Sequence, residues 1–113
     1  MSTNSYILVV DKSDILHAAY VHWDGYPKDM LPILNRSYMT DEKVTKLMSL
    51  GNFSSLQDNI DDIEPYGDEL ETYNISGMDP KSISLLIQRE FYGCNIQYRY
   101  IKYIGDNSNW SQV

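Results

Sequence analysis

Two histidines, sixteen acids and one cysteine are the residues from which this 113-residue chain could build a catalytic or metal site. His22 and Asp24, within "HWDGYP" (22–27), project to the same side of an extended strand. A histidine beside a carboxylate is the minimum for acid–base work. No nucleophile accompanies them. Cys94 follows a predicted helix stop instead of opening a helix, so nothing suggests an activated thiolate, and the serines sit in no "GxSxG" frame. Zinc needs three or four ligands, and His17 lies on the opposite strand face from His22. Counting from Asp58 as a calcium loop puts Ile60 at the third position and no glycine at the sixth. Phosphate-binding glycine loops are absent. The expectation is no enzyme, no cofactor and no metal.

The remaining chemistry is that of surfaces. Residues 58–71, "DNIDDIEPYGDELE", carry seven acids and no base, leaving nine acids against nine bases elsewhere, so the whole net charge of −7 falls in one segment. Such a chain opposes direct binding to a nucleic-acid backbone, which needs a basic footprint. It suits docking on a basic surface, including one built for nucleic acid. The candidate residues there are Asp58, Asp61, Asp62, Glu64, Asp68 and Glu69, with Tyr66 among them, Tyr73 beside them and Pro65 stiffening the loop. A solvated loop is the plainer reading. Ten tyrosines supply most of the aromatic content. Tyr20, His22 and Tyr26 form a second candidate contact patch. "YRYIKY" (98–103) interleaves rings with Arg99 and Lys102; it is either a base-stacking stripe or an ordinary sheet face with charged edge residues.

The elements that must position these groups follow from periodicity. "SYILVVD" (5–11) and "ILHAAYVHW" (15–23) read as a hairpin across "KSD". Ala19, Val21 and Trp23 make the core face of its second strand. "DGYP" breaks that strand, with Asp24 capping the next helix, Pro27 starting it and Trp23 anchoring the corner. Helices follow over 28–38, with Pro32 inside, and from Asp41 to Gly51 behind a Thr40 cap. "NFSSL" returns Phe53 and Leu56 to the core. The acidic segment is loop with a short helical turn. Asp79 caps the third helix, Pro80 starts it, and Gly93 ends it. "NIQYRYIKYI" (95–104) and "WSQV" are strands. The order β-β-α-α-α-β-β predicts one α+β domain over 1–113, a mainly antiparallel sheet from two terminal hairpins with helices on one face. No apolar run approaches the ~20 residues of a membrane span. The start lacks a signal peptide's basic region, and one cysteine fits a reducing compartment. A cytoplasmic protein that makes no membrane contact is the expectation.

"YVHWDGYP", then "TDEKVTKLMSLGNFSSL", then "YRYIKYIGDNSNW" resemble small proteins of bacteriophages, prophages and mobile elements that share an "HWDGYP" corner. The likeness covers most of the chain but is patchy across 57–78. It implies a small accessory role in the cytoplasm of a host cell, of the kind filled by inhibitors of host defence such as anti-CRISPR proteins. The partner so implied is a host protein or ribonucleoprotein complex with a basic surface. Two alternatives stand beside it: a binder of nucleotide signals with a pocket lined by Tyr20, His22, Tyr26 and the C-terminal tyrosines, and a weak hydrolase using His22 and Asp24.

Overall fold

Asp11 closes the first hairpin. One carboxylate oxygen accepts from the N–H groups of Ser13 and Ile15 at 2.8 and 3.1 Å. Asp14 takes a left-handed conformation, φ 59°, which a short polar side chain tolerates. Around this turn pair β1 (Asn4–Val10) and β2 (Ile15–Val21), antiparallel from Ser5 opposite Val21 to Val10 opposite Leu16. The computed structural model describes residues 3–93 and 96–113. Cys94, and the expectation about its thiol, lie outside the described residues.

The remaining elements are α1 (Pro27–Ser37), α2 (Asp41–Met48), a 3-10 turn (Ile60–Asp62), β3 (Glu71–Asn74), α3 (Pro80–Phe91), β4 (Ile96–Tyr103) and β5 (Ser111–Gln112). The fold is α+β, in the expected order of strands and helices. Its five-stranded sheet runs β3-β2-β1-β4-β5. Three of the four pairings are antiparallel; β1 and β4, which join the two terminal hairpins, run parallel. The short β3 follows the acidic segment, and no strand is expected there from the sequence; its pairing from Ile15–Asn74 to Ala18–Glu71 makes it an edge strand.

The expectation of helices on one face needs correction. β1 is central, and its side chains alternate between two cores. Ile7 and Val9 pack with Met30 and Leu34 of α1, Val44 and Leu47 of α2, and Phe53. Leu8 and Val10 pack with Leu86, Ile87 and Phe91 of α3. The unbroken apolar run "ILVV" therefore needs cover on both sides, as strands buried on both faces do, and α3 provides it on the face that α1 and α2 leave open.

Local chemistry sets the helix ends. Thr40 accepts from the Lys43 N–H at 3.2 Å to open α2, and Asp79 accepts from the Ser82 N–H at 2.7 Å to open α3. Pro32 sits inside α1 on its exposed side, where it supplies no backbone N–H to the helix. Trp110 locks the C-terminal hairpin onto the helical layer: its indole N–H donates to the Tyr38 carbonyl at 2.8 Å.

Candidate functional site

"HWDGYP" is held by its backbone. Where β2 ends, the His22 N–H donates to the Phe53 carbonyl (3.2 Å) and the Trp23 N–H to the Ser54 carbonyl (2.7 Å). The Gly25 N–H reaches the Thr3 carbonyl (2.9 Å), and the Gly25 carbonyl accepts from the Tyr100 hydroxyl (2.6 Å). A Cβ on Gly25 would lie 2.7 Å from the Thr3 carbonyl oxygen and 2.9 Å from the Ser5 side chain, so only glycine fits this close approach. Two expectations about the corner are overturned. Asp24 does not cap α1; it adopts φ 57° and is exposed, while Tyr26 is the N-cap and makes no side-chain cap bond. Trp23 does not anchor the corner, being 45% exposed. The strand stops at Val21, two residues early, so its alternation never reaches the indole.

The patch residues divide between the two sides of the sheet. The Tyr20 hydroxyl lies 2.7 Å from His22 Nδ1. Rings run in sequence from Phe91 to Tyr6 (4.9 Å between centroids), Tyr20 (5.9 Å), His22 (5.8 Å) and Trp23 (4.6 Å). This strip lies on the α3 face, because Tyr6 and Tyr20 share the side of Leu8 and Ala18 and Tyr6 packs on the α3 core. Tyr26 instead meets Tyr98 at 5.9 Å, and Tyr98 packs on the α1 core. Burial raises the Tyr20 pKa first, and the neighbouring Tyr66 adds to it. Burial likewise raises that of Tyr6, with help from Glu71.

His22 bonds Tyr20, so the proposed His22–Asp24 pair has no support in the hydrogen bonding. The histidine that meets a carboxylate is His17, whose Nε2 is 2.8 Å from Asp11 Oδ2. This bond is the main reason the Asp11 pKa falls below its ordinary value. The pair borders a cavity of about 340 Å³ with Met48, Leu70 and Ile104. It went unrecognised because the two residues are six apart and meet only through the hairpin. Since Asp11 also holds the turn, the pair reads as part of that turn. Among the described residues no three His, Cys, Asp or Glu side chains gather as a metal site requires.

The acidic segment is held along the edge of β2. Phe53 bridges Val21 on one side and Pro65 on the other. The Ser54 N–H donates to the Glu64 carbonyl (3.0 Å) and the Tyr66 N–H to the Asn52 carbonyl (2.9 Å). Ile63 is buried as an anchor, and the expected helical turn spans Ile60–Asp62. Gly51, at φ 74°, lies against the Asp68 carbonyl. Asp58 differs from the others: Arg36 grips it with two bonds, at 2.9 and 2.7 Å, and Ser37 adds a third at 2.6 Å. Asp61, Asp62, Glu64, Asp68 and Glu69 are exposed, and among the described residues no ion pair involves them. Tyr66 stands among them, 42% exposed. Tyr73 turns toward α3, where burial, Glu71 and Glu90 push its pKa up to about 12.

"YRYIKY" is not a displayed stripe. Arg99 and Lys102 are buried. Lys102 donates to the carbonyls of Asp106 and Ser108 at 2.9 and 2.8 Å, and the Arg99 guanidinium stacks 3.4 Å from the Tyr92 ring centroid. A groove of about 350 Å³ between α3 and β4 is lined by Ile83, Ile87, Tyr92, Tyr103 and Val113. It contains none of Tyr20, His22 or Tyr26, so these three do not line it together with the C-terminal tyrosines. No described helix is long and apolar enough to cross a membrane. No family model, curated protein or solved structure compared with the chain matches it.

Proposed function

We propose that this chain is a non-enzymatic binding protein of a phage or mobile element. It acts in the host cytoplasm by docking its acidic edge on a basic, nucleic-acid-binding surface of a defence complex. The observation that carries this reading is the state of residues 61–69: five exposed carboxylates with no basic partner among the described residues, on a backbone bonded to Asn52 and Ser54 on either side of Phe53. A solvated loop has no need of such anchorage. A docking edge gains from it, because preordered charges lose less freedom on binding and a one-sign field speeds encounter with the opposite sign.

The test is retention of host complexes by the immobilised chain, with Asp61→Lys/Asp62→Lys as the comparison. The wild type should retain a nucleic-acid-binding complex at low salt and release it as salt rises, since exposed charges are screened beyond about 8 Å at physiological ionic strength. The double variant should fold normally and retain none. Equal retention by both proteins, or none by the wild type, overturns the proposal.

A further inference from the structure

We infer that the strip Tyr20–His22–Trp23, beside the acidic edge, is an arginine-binding platform that selects partners by guanidinium stacking. The inference rests on the acidic edge being the docking surface and adds which side chain that surface reads. A tyrosine, a histidine and a tryptophan are more ring surface than a purely ionic contact needs. Trp23 is 45% exposed and stands edge-on to His22 at 4.6 Å, with Tyr20 next in line. These rings do not close the core at this point; they continue it outward from Phe91 and Tyr6.

Charge decides the class of occupant. The Trp23 N–H donates to the Ser54 carbonyl, the Ser54 N–H donates to the Glu64 carbonyl, and Glu71 pairs with Ala18, two residues before Tyr20. The acid-rich segment therefore runs two strands out from Trp23 at Glu64 and pairs with β2 at Glu71, and its negative charge repels a nucleotide's phosphates and attracts a cation. Ring faces are themselves negative and hold cations. Arginine is favoured over lysine because its planar, weakly hydrated guanidinium stacks on rings while its N–H fork still meets a carboxylate. The fold already makes this contact once on the same sheet face: Arg99, directly opposite Tyr6 in the sheet, stacks on Tyr92 at 3.4 Å. The occupant is therefore a protein segment rich in exposed arginine.

Deca-arginine and deca-lysine peptides, equal in charge, are the probes. Affinity is measured at several salt concentrations for wild type, Trp23→Ala, Trp23→Phe and Asp61→Lys/Asp62→Lys. Wild type should prefer deca-arginine by roughly two- to five-fold per stacked guanidinium, with reduced quenching of the exposed Trp23 by acrylamide on binding. Trp23→Ala should lower the arginine affinity toward the lysine value and leave the lysine value unchanged; Trp23→Phe should keep most of the preference. The charge variant should weaken both peptides alike and preserve their ratio. Equal affinity for the two peptides in wild type, or an undiminished preference in Trp23→Ala, overturns the platform while leaving the acidic edge standing. Failure of both peptides to bind at low salt overturns both.

Discussion

The Tyr100 hydroxyl donates a 2.6 Å hydrogen bond to the carbonyl of Gly25, 75 residues away in sequence. Tyr100 is fully buried in the α1 core, on the strand next to β1. The bond ties β4 to the corner that launches α1.

Tyr100→Phe should therefore leave the Gly25 carbonyl buried and unpaired. The expected loss is about 1–3 kcal/mol, read from urea unfolding. Gly25→Ala should cost a similar amount, about 1–3 kcal/mol, by forcing Thr3 and Ser5 away. If both variants unfold like wild type, the corner is looser than its bonding implies.

The two tryptophans should behave oppositely. Trp110 is 3% exposed and bonded to Tyr38, whereas Trp23 is 45% exposed. Trp110→Ala should cost roughly 3–5 kcal/mol, and Trp23→Ala no more than about 0.5 kcal/mol. Thermal unfolding of both variants checks this; a large loss at Trp23 would show the ring to be structural.

Alkali should unfold the protein through its buried tyrosines. Burial, then the charge of Asp58, pushes the Tyr38 pKa up to about 12, and burial raises that of Tyr100 as well. Because the folded pKa lies above the unfolded value of 10.0, the neutral form is the one the fold prefers. The stabilisation is complete below about pH 10 and is lost as pH rises toward 12. Circular dichroism and tyrosinate absorbance, followed together, should show these tyrosines ionising with unfolding. Ionisation of all ten tyrosines well before loss of structure would contradict the burial argument.

Gly51→Ala should disturb the acidic edge. Its φ of 74° disfavours a side chain, and a Cβ there would collide with the Asp68 carbonyl. Amide exchange should accelerate at Ser54 and Tyr66, whose N–H groups bind across the segment. Unchanged protection at both amides would mean that Gly51 does not hold the edge in place.

Much of the architecture was legible as local chemistry. Thr40, Asp79 and Pro80 announced helix starts, because caps and N1 prolines act within one turn. The charge imbalance at 58–71 was countable without coordinates. What required the tertiary structure was every relation between distant elements. The sequence marks "ILVV" as apolar but not that α3 crosses to the second face; packing area decided that. It places His17 and His22 on opposite faces of one strand, but only the hairpin brings Asp11 to His17, and only the early end of β2 turns Trp23 into solvent. It counts the carboxylates, while their backbone is anchored to Asn52 and Ser54 because residues 52–54 line the part of β2 that β3 does not cover beyond Ala18. Periodicity and caps are properties of neighbours in sequence; pairing, burial and ring contacts depend on closing long loops, which only the assembled fold determines.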